Sequence, residues 1–425
     1  MKTAILIGAG GRGITYTDFA LTNKDKYKIV AVAEPVKDRR NYIKNMHNIP
    51  DEMCFESWES VLDMPKFADL VIICTMDNDH YGPCMKAIEQ KYDILLEKPM
   101  SPDPKECIEM TNAAEEIGVK ILVCHVLRFG LFFKTLKGLI LDGKVGNVIN
   151  IQHSEDVGNI HQSHSFVRGN WGNLKESSSM ILQKCCHDMD IIQWLVGKKC
   201  KKIQSFGSLS HFNRANKPEG SPERCIEGCP YGETCYYNSV KLYLEDESND
   251  WFRDSATKKV KPSYEEVEKA LWETQYGKCV YSCNNDVVDH QIVNLEFEDG
   301  VVASLTMSAF NKGGRQIRIM GTKGMLTGNA KDTFVSLYDF ATGKTEEIHY
   351  VDIAFANDIT GGHGGADTLI MDELYDYLTD NYNSYSICRI GDTCDNHLLA
   401  FAAEESRVNG GKTIDIEEYK KEIMG

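Results

Sequence analysis

The sequence predicts an α/β protein of two domains, and three observations predict it. The chain has 425 residues, which is more than one hydrophobic core usually supports. Residues 1 to about 124 alternate short apolar runs with helical patterns, as expected of parallel strands joined by helices. Residues 293–338 instead alternate apolar and polar side chains, which indicates half-buried antiparallel strands. We therefore expect a doubly wound first domain and a sheet-rich second domain.

The composition is that of an ordinary globular protein, with 42% hydrophobic and 26% charged residues. With 47 basic and 63 acidic residues the net charge is −16, which argues against nucleic acid or an anionic membrane as a partner. No apolar run approaches the roughly 18 residues that a membrane span needs. Fifteen cysteines without an export signal favour reduced thiols in the cytoplasm.

A glycine-rich loop follows the first apolar run, Ala4 to Ile7. Its three spaced glycines allow a tight turn, close approach of a pyrophosphate and close packing of the next helix. The N-terminus of that helix offers free amide hydrogens to the phosphates. The alternative is a glycine turn without a ligand. The predicted cofactor-binding residues of this loop are Gly8, Gly10, Gly11, Arg12 and Gly13.

The second strand, from Lys28 to Ala33, ends at an acidic residue, Glu34. This is about the distance from the glycine loop at which a carboxylate binds the ribose hydroxyls of the cofactor. Because a carboxylate repels a 2′-phosphate, NAD is favoured over NADP. Arg39 and Arg40 keep NADP open as the less favoured alternative.

Polar residues follow three further apolar strands of this region. Pro99 ends one strand because it has no amide hydrogen to donate, and leaves Glu97 and Lys98 at its carboxyl end. In open α/β sheets that edge binds the ligand. We therefore expect cofactor contacts from Thr75, His80, Glu97 and Lys98, and substrate contacts from His125 and Arg128.

Residues 180–197 are predicted to form one helix that Gly197 ends. Lys184, His187 and Asp188 stand at i, i+3 and i+4, so they are expected to share one face. A basic and acidic cluster beside an apolar stripe indicates the wall of a pocket. The alternative is a solvated helix face with a histidine satisfied in the core.

These motifs together resemble the Gfo/Idh/MocA family, the glucose–fructose oxidoreductase and inositol dehydrogenase group. The resemblance rests on the glycine loop, on Thr75 with His80, on Glu97-Lys98-Pro99 and on the segment around His187, and it covers essentially the whole chain. It implies an NAD-binding Rossmann domain over residues 1–124 and an α/β domain over 125–425. The large, mostly antiparallel sheet of that second domain would cover the nicotinamide and form a homodimer or homotetramer.

The sequence departs from the family pattern at one position. The family usually carries an aspartate four residues before the histidine, where this chain has Gln183. Inositol dehydrogenase activity is therefore not carried over to this chain. It is more similar to members with a Lys-x-x-His-Asp arrangement.

The resemblance implies NAD-dependent oxidation of a sugar, polyol or glycoside hydroxyl. Lys98 and His187 are the candidate acid–base pair, and Lys184 and Asp188 are expected to orient the substrate and the imidazole. One alternative is an NAD-dependent glycosidase that uses transient oxidation, elimination and re-reduction. A second is a dinucleotide-binding regulatory protein without catalytic activity.

Further histidines, an arginine and an indole suit a polyhydroxylated substrate, because they offer hydrogen bonds and an aromatic face. The alternatives are a polar loop and, around the last histidine, a flexible lead into a helix. Glycines on both sides of this histidine allow close approach of a ligand. The candidates are His161, His164, Arg168, Trp171 and His363.

Residues of about 213–290 have the loop composition of an insertion and carry five cysteines. Thiolates at short spacings close loops around zinc in tetrahedral sites, so a structural Zn site is expected here. Free thiols or one disulfide are the alternatives. The candidate ligands are Cys225, Cys229, Cys235 and Cys283, with Cys279 as the fifth thiol.

Overall fold

The computed structural model describes residues 1–246, 248–350 and 365–425. Its first domain contains a six-stranded parallel sheet of order β3-β2-β1-β4-β5-β6. The strand order reverses between β1 and β4, because β2 and β3 extend the sheet on one side of β1 and the later strands extend it on the other. Ligands of such sheets bind at this switch point. The strands are β1 Lys2–Ile7, β2 Tyr27–Ala33, β3 Cys54–Phe55, β4 Leu70–Ile73, β5 Asp93–Leu96 and β6 Ile121–Val123.

Helices cover both faces of this sheet, which is why its central strands are apolar along their whole length. Leu70 to Ile73 of β4, for example, are fully buried. The sheet therefore has the predicted Rossmann arrangement. Its helices are Gly11–Thr22, Lys37–His47, Trp58–Leu62, Tyr81–Glu89 and Pro104–Ile117, with 3₁₀ turns at Asp51–Met53, Asp77–Asp79 and Val126–Phe129.

The second domain contains a nine-stranded sheet of order β14-β13-β12-β11-β7-β10-β9-β8-β15. Only the central pair β7 and β10 is parallel, so the prediction of a mostly antiparallel sheet is confirmed. Its strands are β7 Val148–Asp156, β8 Cys200–Ser208, β9 His290–Phe297, β10 Val302–Ser308, β11 Gly314–Gly321, β12 Gly324–Asn329, β13 Phe334–Asp339, β14 Lys344–His349 and β15 Ile414–Asp415.

One face of the large sheet packs against helices to form the main core of the domain. Alternate residues such as Val293 and Leu295 of β9 point into this core, while Ile292 of the same strand is 47% exposed on the opposite face. The period-two pattern thus arises from one covered and one open face. The covering helices are Leu131–Leu141, Met180–Gln183, Cys186–Val196, Ile390–Val408 and Ile416–Met424.

Two helices from the end of the chain connect the domains. The helix Ala366–Leu378 packs against the six-stranded sheet, with Ile370 and Leu374 in that core. The helix Ile390–Val408 places Leu398 in the core of the first domain and Leu399 in that of the second. The first domain is therefore completed by residues that lie some 250 positions after its last strand.

The insertion between β8 and β9 forms short helical elements and loops around two small cores. All fifteen cysteines are free, so the disulfide alternative is not supported. The elements are Arg214–Asn216, Cys225–Glu227, Val240–Glu245, Asp250–Thr257, Tyr264–Glu273 and Gln275–Gly277. Nowhere in the described parts of the chain is a helix both long and apolar enough to cross a membrane.

Candidate functional site

The glycine loop forms a narrow cradle between β1 and the first helix. Gly8 has φ +88°, and a Cβ there would lie 2.5 Å from the carbonyl oxygen of Cys74. A Cβ on Gly13 would lie 2.2 Å from the carbonyl oxygen of Gly8. The helix begins at Gly11, so its first amides have no partner within the helix. The cradle can therefore bind a pyrophosphate through backbone amides.

Glu34 lies directly beside this cradle and is buried. Its carboxylate accepts hydrogen bonds from the amide of Ala9 at 2.7 Å and from the amide of Val36 at 2.9 Å. Arg40 turns towards Glu56, 2.9 Å away. Arg39 lies nearer the loop, since a Cβ on Gly10 would be 3.9 Å from its Nη1.

The side chain of Arg12 points away from the phosphate cradle. Its guanidinium pairs with Glu97 at 2.7 Å and with Asp367 at 2.7 Å. Burial alone would raise the pKa of Glu97, but Arg12 and Lys98 outweigh it and hold the pKa below its usual value. Arg12 and Glu97 were both expected to contact the cofactor. The structure instead shows their side chains in a partly buried ion pair that fixes the helix Ala366–Leu378.

Thr75 and His80 hold two loops of the ligand edge together. The Thr75 hydroxyl donates to the carbonyl of Asp79 at 3.0 Å. The His80 ring lies 2.7 Å from the carbonyl oxygen of Pro99 and 3.2 Å from that of Thr75. His80 is buried, so it positions the loops that follow β4 and β5, and its ring does not face the cradle.

Lys98 reaches from the first domain into the second. Its Nζ donates to the carbonyl of Gln183 at 2.7 Å. Gln183 ends the short helix Met180–Gln183, and a second helix begins at Cys186. The last carbonyls of a helix have no partner within it, so the end of the first helix supplies the acceptor for Lys98.

The prediction of one continuous helix over residues 180–197 was therefore wrong, because the chain turns at Lys184 and Cys185. The three polar residues consequently do not share one face. Lys184 and Asp188 turn towards the large sheet, while the ring of His187 packs edge-on against His125 at 5.7 Å. Asp188 therefore does not orient the His187 imidazole, as had been expected.

A buried charge network joins this segment to β7 and β11. Lys184 lies 3.4 Å from Glu155, and Glu155 lies 2.5 Å from Arg315. Asp188 accepts from Arg315 at 2.8 Å, and its other neighbour is the His153 ring at 2.7 Å. The carboxylates are held by cations from opposite sides, so Lys184 is fixed at the edge of the site.

The environment shifts the two carboxyl pKa values in opposite directions. Burial raises the pKa of Glu155, although Arg315 and Lys184 oppose this shift. At Asp188 burial acts in the same sense, but Arg315 and His153 outweigh it and lower the pKa. Arg315 therefore opposes the effect of burial at both carboxylates.

His125 and Arg128 lie inside the protein. Arg128 forms a bidentate ion pair with Asp190, with distances of 2.7 and 2.6 Å. Burial lowers the pKa of His125 to about 4, and its ring lies between those of His187 and His397. The prediction that Arg128 binds substrate is not supported, because its guanidinium is already occupied by a buried carboxylate.

Of the four candidates around residues 161–171, His161 lies nearest the charged groups of the site. Burial, followed by Lys184 and other cations, lowers its pKa well below the usual value. His164 instead stacks on Phe252 with ring centres 3.9 Å apart. It also lies 2.8 Å from the Tyr243 hydroxyl. His164 therefore packs against the core of the insertion.

Arg168 and Trp171 also point away from the site. Arg168 donates to the carbonyls of Lys278 and Tyr237 at 2.8 and 2.7 Å, and Trp171 packs near Phe166 with ring centres 6.3 Å apart. Their predicted substrate contacts are not supported. His363 lies outside the described residues.

Family models describe nearly the whole chain. Residues 2–125 match the oxidoreductase family, NAD-binding Rossmann fold, and residues 137–412 match its C-terminal alpha/beta domain. The chain belongs to the Gfo/Idh/MocA oxidoreductase family. The resemblance drawn from the sequence motifs is thereby confirmed, as is the combination of a Rossmann domain with a domain built on a mostly antiparallel sheet.

Curated relatives within this Gfo/Idh/MocA family are distant. YteT of Bacillus subtilis (strain 168), which is named as an oxidoreductase, is 24% identical over 321 residues, or 72% of each chain. The 2,7-anhydro-N-acetylneuraminate hydratase of Escherichia coli (strain K12) is 27% identical over 209 residues. The inositol 2-dehydrogenase of Corynebacterium glutamicum (strain R) is 23% identical over 211 residues. The last two alignments cover 48% of this chain, and 53% and 58% of the relatives.

Solved structures share the fold over almost the entire chain. An oxidoreductase from Agrobacterium radiobacter in complex with NAD+, L-tartaric acid and magnesium superposes with a TM-score of 0.68 at 14% identity. An NAD binding oxidoreductase from Klebsiella pneumoniae gives 0.70 at 15% identity. Both alignments cover 98% of this chain and 99% of the other.

Arg315 and the Gln183 carbonyl were not predicted from the sequence as parts of the site, and Glu155 was not among the predicted site residues. A signal was present for Glu155, since Ile151, His153 and Glu155 occupy the buried alternate positions of β7. A charged residue at an inward position of a strand requires a partner. No comparable signal marks the break after Gln183, because that stretch is apolar and helical in pattern.

Proposed function

We propose that the protein is an NAD-dependent oxidoreductase that transfers a hydride between the carbinol carbon of a sugar, polyol or glycoside and the nicotinamide. The main supporting observation is the contact between Lys98 Nζ and the Gln183 carbonyl, at 2.7 Å. It brings an amine from the Rossmann domain to the helix break that directly precedes His187. We infer that this amine and the imidazole of His187, which come from two domains, act together at the edge where ligands of this fold bind.

The residues of the first domain fit an NAD molecule. The cradle tolerates no side chain at Gly8 or Gly13, and the first helix amides face it. Glu34 is a buried carboxylate beside the loop, which suits ribose hydroxyls and repels a 2′-phosphate. When bound, NAD accepts or returns the hydride. We expect kcat/KM to be higher with NAD+ than with NADP+, and the reverse order would contradict this assignment.

A residue of the protein must accept the proton of the substrate hydroxyl. When hydride leaves the carbon, the O–H bond must also break, so a base has to reach that oxygen. We assign this step to the Nζ of Lys98, with His187 exchanging the proton onward. Lys184, which is paired with Glu155, donates to a substrate hydroxyl. His161 lies near enough to these groups to be affected by their charges.

The proposal is tested with a panel of sugars, polyols and glycosides in the presence of NAD+, by following the absorbance of the reduced cofactor. We expect net reduction with at least one carbohydrate and none with simple aliphatic alcohols. Tight NAD binding without turnover of any panel member would contradict the proposal and favour a dinucleotide-binding regulatory protein.

One relative supports a second candidate, a redox-neutral reaction. A protein named as a hydratase catalyses addition or removal of water, which requires no net oxidation. In such a reaction a sugar hydroxyl is oxidised, the proton α to the new ketone is removed, a C–O bond breaks, and the hydride returns. This is also the chemistry of the NAD-dependent glycosidase alternative. Product formation without accumulated NADH, with solvent deuterium at the α carbon, would distinguish it from a net dehydrogenase.

A further inference from the structure

The insertion brings four half-buried cysteines to the wall of one cavity. Three of them lie on the loop that begins at the 3₁₀ turn Cys225–Glu227. The fourth comes from a segment fixed alongside, because the amide of Cys279 donates to the carbonyl of Glu223 at 2.9 Å. The cavity has a volume of about 30 Å³ and is lined by Cys225, Cys229, Cys235, Cys279 and Arg168, among others.

Arg168 carries an uncompensated charge into this cavity. Its side chain is 2% exposed, and its Nη1 has no hydrogen-bond partner among the described residues. Its Nη2 lies 3.8 Å from the sulfur of Cys225. In the parts of the chain that the structure describes, no carboxylate is paired with it.

A guanidinium stays protonated in proteins, so a buried one needs a neighbouring anion. Neutral thiols do not supply that charge, whereas metal-bound thiolates do, because coordination removes the thiol proton. Four thiolates around one divalent ion carry a net charge of about −2. Donation from an arginine to a ligand sulfur is a common outer contact of such a centre.

We propose that Cys225, Cys229, Cys235 and Cys279 bind one Zn²⁺ ion, and that Arg168 balances the charge of the centre. Binding forms four Zn–S bonds and releases four thiol protons to solvent, without any change in oxidation state. The small cavity suits a single ion and not a multi-iron cluster. This inference does not depend on the proposed enzymatic function.

The assignment changes one ligand of the sequence prediction. Cys283 had been expected as the fourth ligand, but it does not line the cavity, and its thiol donates to the carbonyl of Cys279 at 3.5 Å. In the described chain no three cysteine sulfurs lie within 4.8 Å of one another. Zinc binding, with Zn–S distances of about 2.3 Å, therefore requires the two loops to close on the ion.

The role that follows is structural. The described residues of the insertion form two small hydrophobic cores, and a metal centre commonly stabilises such a loop-rich segment. Phe252 of one of these cores stacks on His164. His164 follows His161 of the candidate site by three residues. Loss of the ion is therefore expected to loosen the segment that carries His161.

The test is the metal content of the tag-free full-length protein, measured by mass spectrometry after dialysis against a mild chelator. We expect about one zinc per chain in the unchanged protein and in Cys283→Ser, and less than about a fifth of that in Cys229→Ser and Cys279→Ser. Cys54→Ser, a half-buried cysteine of the first domain, is the second control. Loss of zinc from Cys283→Ser with retention in Cys279→Ser would overturn the assignment of Cys279 as the fourth ligand.

A second measurement uses the unchanged protein and therefore does not depend on whether the variants fold. Treatment of the unchanged protein with a thiol-blocking mercurial should release about one equivalent of zinc to a metallochromic indicator. The metal-free protein should unfold at a lower temperature, and added ZnCl₂ should restore the original value. Protein that holds no zinc and binds none when ZnCl₂ is added would overturn the proposal, as would iron with acid-labile sulfide.

Discussion

At the scale of single residues, Lys98 is the side chain on which the proposed chemistry depends. It leaves a strand end of one domain and contacts a carbonyl of the other at 2.7 Å. The neighbouring residues have different tasks. Glu97 and Arg12 hold a late helix in place, and His80 holds two loops together. Conspicuous polar residues at a ligand edge therefore divide into those that act on the ligand and those that shape the edge.

Replacing Lys98 with methionine keeps the length of the side chain but removes the amine. We expect kcat to fall by about 10²–10⁴-fold, the usual size of a general acid–base contribution. The dissociation constant of NAD+, measured by calorimetry, should stay within about threefold, because the phosphate and ribose contacts are untouched. Lys105→Met, at an exposed position, is the control. Turnover that survives Lys98→Met would exclude the amine as the base.

The buried histidines predict how stability depends on pH. Burial lowers the pKa of His125 to about 4 and of His397 to about 3. In the unfolded chain both should titrate near 6.5, so the unfolded state binds more protons below that pH. Their contribution to stability is therefore complete above pH 6.5 and is lost as the pH falls towards 4.

We expect the free energy of unfolding to fall less between pH 7 and pH 4 in His125→Phe than in the unchanged protein. For a pKa shift of this size the difference is about 3 kcal/mol. The free energy of unfolding in urea, measured across that pH range, checks the prediction. His349→Phe, at an exposed position, should leave the slope unchanged. An unaltered slope in His125→Phe would show that this ring is protonated in the folded protein.

At the scale of secondary-structure elements, the site depends on the helix break at Lys184 and on the two strands that face it. The glycine loop, the strand ends and the open sheet could be predicted from the sequence, because each rests on local patterns such as Gly8 to Gly13 or the alternation in β9. The break could not, because no glycine or proline marks it. What favours it is a tertiary contact, the amine of Lys98 on the Gln183 carbonyl.

Substrate residues were predicted less well for a similar reason. The sequence does not show whether a given histidine or arginine faces a ligand or a buried partner. Arg128 is bound to Asp190 and His164 to Tyr243, and both partners are more than 60 positions away along the chain. Such pairings are decided by the fold, and a single sequence carries no record of them.

The link between β11 and the broken helix is tested by Arg315→Met. This change leaves Glu155 and Asp188 buried without their shared cation, and removal of one partner from a buried ion pair typically costs about 3–5 kcal/mol. We expect a loss of this order in the free energy of unfolding, measured with urea. Arg318→Met, on the exposed face of the same strand, is the matched control. Equal stability of both variants would show that the network does not stabilise the fold.

At the scale of the whole molecule, the large sheet has one face covered by helices and one left open. The open face carries exposed apolar side chains at Phe206, Ile292 and Val302, and the family resemblance implies an oligomer through this sheet. Exposed apolar patches on a sheet commonly mark such interfaces. We therefore propose that two copies of the chain associate through the open face.

Ile292→Lys places a charge in the middle of this face and is expected to convert the oligomer to a monomer, as measured by light scattering during gel filtration. Leu141→Lys changes another exposed apolar residue, which lies at a helix end and is 59% exposed, and should leave the oligomer intact. A monomeric unchanged protein, or an Ile292→Lys variant that stays oligomeric, would place the interface elsewhere.

The most direct test of the account is a crystal structure of the protein with NAD bound. We predict the pyrophosphate on the amides of residues 11–13, the ribose at Glu34, and the nicotinamide between the Lys98 amine and the His187 imidazole. A nicotinamide ring that lies outside the space between these two side chains would contradict the proposed hydride and proton transfer.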